Sequence, residues 1–122
     1  MPTDRSVSTM SLSTHVLDAS LGRPAQRVPI QLRTQGDAGA ATIFTAVTDA
    51  DGRYRHQQAG ADLPLAAGIY DLQFDTAAYF TATAQTGFYP RVTVTFEITD
   101  PTAHHHVPLL LSPFAFSTYR GS

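Results

Sequence analysis

The chain has no cysteine among its 122 residues. That excludes disulfides and thiolate metal sites, and leaves packing or assembly to stabilise the fold. It also lacks an excess of basic charge: eight Lys and Arg against ten Asp and Glu give a formal net charge of -2. Without clustered cations nothing draws the chain to a phosphate backbone or an anionic lipid surface, so neither nucleic acid nor membrane is an expected partner. Long apolar runs are missing too. Met1-Pro2-Thr3-Asp4-Arg5-Ser6-Val7-Ser8-Thr9 has no secretory apolar core, and no later run approaches membrane-spanning length. The expectation is a soluble cytoplasmic protein, with residues 1–11 as a mobile Ser/Thr-rich extension and residues 12–122 as a single domain. No internal repeat or heptad is visible.

What is present is the composition of a globular sheet protein. Hydrophobic residues make up 43% and charged residues 15% of the chain, and Phe, Tyr, Val, Ile and Thr are plentiful. A domain of this size buries roughly two-thirds of its unfolded surface, enough for one core. Strand character runs through Leu12 to Asp18, Val28 to Leu32, Thr42 to Thr48, Gly68 to Phe74, Arg91 to Ile98, His105 to Leu111 and Phe114 to Tyr119. Gln35 to Ala41 and Gly60 to Gly68 read as connections. Asp49-Ala50-Asp51-Gly52 is a tight-turn signal that makes Arg53 the first residue of a hairpin's return strand. Asp75 to Ala82 has a helical start, with Asp75 or Thr76 as cap and Gly87 beyond its end. Short strands with frequent turns imply an all-β, two-sheet sandwich of about eight strands and one short helix. Such a fold hosts many functions, so the site must decide.

One strand carries most of the signal. In His104-His105-His106-Val107-Pro108-Leu109-Leu110-Leu111, alternation puts His105, Val107, Leu109 and Leu111 on one face and His104, His106, Pro108 and Leu110 on the other. Val107, Leu109 and Leu111 read as core, which turns His104 and His106 outward together with an apolar Leu110. A second subunit over that face would resolve the conflict. His15 sits in the first strand and Arg53 follows the turn. The chain closes on Ser117-Thr118-Tyr119-Arg120-Gly121-Ser122, where a terminal carboxylate on Ser122 is expected to accept hydrogen bonds or support an imidazolium.

His15-Val16-Leu17-Asp18, Gly22-Arg23-Pro24-Ala25, Thr48-Asp49-Ala50-Asp51-Gly52-Arg53, Phe88-Tyr89-Pro90 and His104 through Ser122 together resemble the signature of the 5-hydroxyisourate hydrolases, the transthyretin-related family. The motifs keep the family's order, and the closing Tyr-Arg-Gly-Ser separates these hydrolases from transthyretin, the hormone carrier of the same fold. The resemblance implies a transthyretin-like sandwich assembled as a homotetramer, with active sites in a channel between dimers. It implies hydrolytic ring opening of 5-hydroxyisourate to 2-oxo-4-hydroxy-4-carboxy-5-ureidoimidazoline in urate (purine) degradation. On the family's pattern the catalytic residues are His15, Arg53, His106, Tyr119 and Ser122. Substrate would be bound by His15, Arg53, Tyr119 and the channel neighbour His104. No cofactor and no metal are implied. His105 and Phe116 stand where the family commonly has Tyr, both at support positions.

These residue types suit the reaction. Opening a ring acyl–nitrogen bond needs a base for water, and a neutral imidazole with a pKa near ~6.5 is poised for that; His106 and His15 are both candidates. Arg53 offers a fork of donors to carbonyl or urea-like oxygens, and Tyr119 another hydrogen bond. Other readings compete. A His-x-His pair with a third histidine has zinc-ligand types, but no fixed spacing to His15. Alone, Arg53 reads as a solvated strand residue, and His105 as a packing or solvent-facing one. A carrier of apolar ligands would need an aliphatic or hydroxyl-lined channel where this chain places His15, Arg53, His104 and His106. An accessory structural sandwich has no need of paired histidines.

Overall fold

Alternation sorts the first strand, β1 (Ser11–Asp18), into two faces: Leu12, Thr14, Val16 and Asp18 are buried, while Ser13, His15 and Leu17 are only half-buried. The same alternation recurs in most of the longer strands of the computed structural model, which describes residues 11–35, 40–57 and 65–122. The N-terminal extension, apart from Ser11, lies outside the described residues, as do the middle of the loop after Gln35 and most of the connection before Gly68. The remaining elements are β2 (Arg23–Pro24), β3 (Pro29–Thr34), β4 (Thr42–Val47), β5 (Arg53–Gln57), β6 (Gly68–Phe74), α1 (Thr76–Ala82), β7 (Val92–Ile98), β8 (His104–Ser112) and β9 (Ala115–Thr118).

Two sheets form. One has the order β2-β1-β8-β9, with β5 added beside β1; the other runs β4-β3-β6-β7. Every pairing is antiparallel except that of β1 with β8, which is parallel from Ser11 opposite His104 to Asp18 opposite Leu111. Leu12, Val16, Val107, Leu109 and Leu111 from the first sheet pack on Ile30, Leu32, Leu72, Phe74 and Val92 from the second. Each large aliphatic or aromatic side chain removed from water in this way contributes about 1.5–3 kcal/mol.

The hairpin expected at Asp49 to Gly52 does not form. Asp49 does organise the turn, its carboxylate accepting from the backbone N–H of Asp51 and Arg53. The chain then changes sheet: β4 pairs with β3, whereas β5 pairs with β1. Gly52 is the reason. Its φ is 75°, and a β-carbon there would lie 2.4 Å from the Val16 carbonyl oxygen, so only glycine lets the turn press against β1. The Val16 N–H donates to the Gly52 carbonyl at 2.7 Å. Arg53 thereby begins its strand directly opposite His15.

The helix forms where expected. Asp75 caps it by accepting from the Ala78 N–H at 3.1 Å, leaving Tyr79 and Phe80 buried beneath. The Tyr79 hydroxyl donates to Asp18 Oδ2 at 2.6 Å, and Gln85 Nε2 donates to the same oxygen at 3.1 Å. The backbone N–H groups of Ser20 and Leu21 donate to Oδ1. This network ties α1 to the end of β1.

Candidate active site

Strand register places His15, Arg53, His104 and His106 on the outward face of the five-stranded sheet. His15 stands opposite Arg53 of β5 and Pro108 of β8; Ser13 stands opposite Arg55 and His106. Directly opposed residues in an antiparallel pair have β-carbons about 4.5–5.5 Å apart, so Arg53 and His15 are neighbours. His104 and His106 follow on the same face, with ring centroids 6.3 Å apart and planes inclined by 17°. Their β8 companions His105, Val107, Leu109 and Leu111 are buried.

His106 is held from three sides. Ser13 Oγ lies 2.7 Å from its Nδ1, and the Gly121 N–H donates to its carbonyl oxygen at 2.9 Å. Gly121 also passes so close to the ring that a β-carbon there would lie 2.3 Å from Cδ2 and 3.0 Å from Cγ. With Nδ1 engaged by Ser13 and Cδ2 covered by the tail, Nε2 is the ring nitrogen left for a reactant. Ser13 Oγ is also 3.0 Å from His104 Nε2, so one hydroxyl joins two imidazoles.

Electrostatics favours the neutral form of His104 and His106. Burial lowers the His106 pKa most; its hydrogen bond with Ser13 works the other way, and the charges of His15 and Arg53 lower it further. His104 is lowered first by burial, then by Arg55, His106 and His105. His15, Arg53, Arg55, His104 and His106 thus form a face with two fixed positive charges. Such a face attracts carbonyl oxygens and developing negative charge.

The tail reaches this face only in part. The Gly121–His106 bridge places Gly121, and Ser122 follows it. Tyr119 is 59% exposed and lines a cleft of about 350 Å³ with Val94, Phe96, Val107 and His106. A larger groove of about 1010 Å³ lies along the other sheet near Gln31, Arg33, Gln73 and Arg91. It contains no histidine and lies on the sheet opposite the one that carries His104 and His106. His105 is a packing residue, 5% exposed, its Nδ1 donating to the Ala103 carbonyl at 3.0 Å. Phe116 packs edge-on against Tyr89, ring centroids 5.0 Å apart. Among the described residues no trio of His, Cys, Asp or Glu is disposed to hold a metal ion.

The HIUase/Transthyretin family model matches residues 12–121. The chain belongs to that family. It is 43% identical over 122 residues to a 5-hydroxyisourate hydrolase of Rhizobium meliloti, a match covering 91% of this chain and 95% of the relative. The solved structure of Klebsiella pneumoniae 5-hydroxyisourate hydrolase superimposes with a TM-score of 0.77 at 38% identity, covering 93% of this chain and 94% of that one. Transthyretin from Sparus aurata superimposes with a TM-score of 0.80 at 34% identity, covering 90% and 95%. A hydrolase and a carrier therefore fit the backbone equally well, and side chains must separate them.

Of the residues singled out in the sequence, the structure gathers His15, Arg53, His104 and His106 on one face and brings the tail to it at Gly121. Ser13, and the contact that makes Gly121 of the tail motif matter to His106, emerge only from the structure. The signal for Ser13 was its place two residues before His15, on the same face of the strand.

Proposed function

We propose that this chain hydrolyses 5-hydroxyisourate, opening the ring at an acyl carbon–nitrogen bond to give 2-oxo-4-hydroxy-4-carboxy-5-ureidoimidazoline. The observation that carries the reading is the outward face itself, where His15, Arg53 and His106 converge by register and His106 keeps Nε2 free for a reactant. A carrier of apolar ligands has no use for two guanidiniums and three imidazoles on one surface. The names of the relatives at about 40% identity point the same way.

In the reaction, His106 Nε2 accepts a proton from water as the oxygen attacks the ring carbonyl. Negative charge develops on the carbonyl oxygen, and Arg53 meets it with its fork of donors. The acyl carbon–nitrogen bond then breaks, and the proton held by the imidazole passes to the departing nitrogen. Hydroxide has been added to carbon and a proton to nitrogen, so the atoms of one water are accounted for. His15, beside Arg53, and Tyr119 and Ser122 from the tail bind and orient the ring, with no cofactor in the scheme.

The face also carries half-buried Leu17 and Leu110, apolar residues suited to cover by a second dimer. The reading therefore includes a homotetramer with its sites between dimers, acting in the cytoplasm in urate breakdown. The deciding experiment follows the ultraviolet absorption of freshly generated 5-hydroxyisourate. Purified protein should accelerate its loss; no acceleration by folded protein of the expected assembly, checked by analytical ultracentrifugation, would sink the proposal.

A further inference from the structure

Ser13 Oγ lies 2.7 Å from His106 Nδ1 and 3.0 Å from His104 Nε2. A hydroxyl carries one proton, so it donates to one ring nitrogen and accepts from the other. Two arrangements satisfy both contacts. In the first, His106 Nδ1–H donates to Ser13 and Ser13 donates to His104 Nε2; His106 then presents an unprotonated Nε2. In the second, His104 Nε2–H donates to Ser13 and Ser13 donates to His106 Nδ1; the His106 proton then sits on Nε2, and that nitrogen cannot act as a base.

We propose that Ser13 and His104 are positioning residues that set the tautomer of His106, and that protonation of His104 turns the His106 base off. This rests on the reading of His106 as the base. The chain of bonds is consistent through turnover in the first arrangement only. When His106 takes a proton from water it holds hydrogen on both nitrogens, Ser13 must keep accepting from Nδ1, and it must find its own acceptor in a neutral His104. Once His104 is an imidazolium it has no lone pair for Ser13. The hydroxyl then turns toward His106 Nδ1 and draws its proton to Nε2.

The surroundings hold the switch in its active setting. Facing the pair are Arg53 and Arg55 from β5, His15 from β1, His105 behind them on β8, and the tail at Gly121 between Arg120 and Ser122. Burial first and then Arg55 and His106 keep His104 neutral below the ordinary imidazole range. His104 is also the more exposed of the two rings. It can therefore sample solvent protons while His106 faces the reactant.

The test uses the full chain without substrate. Long-range proton–nitrogen NMR of the imidazoles distinguishes Nδ1–H from Nε2–H at each ring across the histidine titration range around pH 6.5. The expected result is His106 as Nδ1–H when His104 is neutral, passing to Nε2–H as His104 takes a proton. In kinetics, His104→Glu, which only accepts, should retain the Nδ1–H tautomer. His104→Lys, which only donates, should lower the plateau kcat on the order of 10²-fold with little change in KM, as loss of general-base catalysis requires. Ser13→Ala should uncouple the two titrations. His106 remaining in one tautomer throughout the wild-type titration would overturn the proposal, whether or not the variants fold. Should the tautomer switch be seen in a protein that leaves 5-hydroxyisourate untouched, the hydrogen-bond chain stands and the proposed function falls; turnover with a fixed tautomer does the reverse.

Discussion

Gly121 packs against the His106 imidazole, so close that a β-carbon on it would sit 2.3 Å from Cδ2. The tail motif therefore needs glycine at this position for a packing reason. Gly121→Ala must push either the ring or the tail aside. Because misplacing a catalytic group by about 1 Å costs on the order of 10²-fold in rate, kcat should fall by about that factor. The tail lies outside the core, so denaturant unfolding should change by no more than about 0.5 kcal/mol. Deleting Tyr119 to Ser122 should likewise remove turnover and leave the far-ultraviolet circular dichroism unchanged. Full activity in either variant would take the tail out of the site.

This contact also shows what the sequence could and could not convey. β8 was legible because its faces are chemically unlike: Val107, Leu109 and Leu111 are buried and His104 and His106 are not. Alternation likewise located β6, and the cap at Asp75 located α1. The turn at Asp49 was legible as a turn but not as a change of sheet. What sends β5 to β1 is the close approach of Gly52 to Val16, a contact between residues far apart in the chain. Ser13 and the packing of Gly121 on His106 stayed hidden for the same reason. Each matters through a partner some 15 to 93 residues away, and neither residue type announces chemistry on its own.

Arg53 stands beside His106 electrostatically and, in the proposed reaction, meets the substrate, which gives its removal two readouts. Arg53→Gln withdraws the donor fork from the developing oxyanion, and kcat should drop about 10²–10³-fold. The guanidinium also contributes, after burial and alongside His15, to holding the His106 pKa down. Without it that pKa rises, and the acid limb of kcat/KM should move to higher pH. Steady-state kinetics across the histidine range checks both. A lower kcat with an unmoved acid limb would separate Arg53 from the His106 imidazole.

Tyr79 should matter to folding and not to turnover. It is 3% exposed, Asp18 is 1% exposed, and the hydroxyl donates to the carboxylate at 2.6 Å. Burial and the bonded carboxylate both raise the Tyr79 pKa, so the phenol keeps its proton at all working pH. Tyr79→Phe leaves a buried carboxylate short of one donor. A hydrogen bond to a charged group is worth about 1.5–3 kcal/mol, which is the destabilisation expected in urea unfolding. The kcat should remain within about twofold, since no reactant meets this pair; a large loss of rate would mean that α1 positions the site through β1.

Acid should destabilise the fold in two stages. His56, His104 and His106 are all held below the ordinary imidazole value of about 6.5, each chiefly by burial, so the folded chain binds protons more weakly than the unfolded one. Wherever the unfolded state carries more protons, stability rises with pH. The first loss therefore begins as pH falls through about 6.5 and levels off below the folded values of the three histidines. Asp18 is the buried contributor to the second, alongside exposed Asp100, whose pKa hydrogen bonds from Thr102 lower as well. Burial works against the Asp18 carboxylate, but hydrogen bonds from Tyr79, Leu21, Gln85 and Ser20 outweigh that cost and lower its pKa. Its contribution is whole above the ordinary carboxylate value of about 3.9 and is lost as pH falls through the lower folded value. Urea unfolding measured at intervals from neutral pH downward should resolve both stages. His56, stacked on Phe44 with ring centroids 4.4 Å apart, lies away from the outward face, and His56→Phe should shrink the first stage while leaving the second unchanged. Stability that is flat between neutrality and the carboxylate range would contradict the burial of these rings.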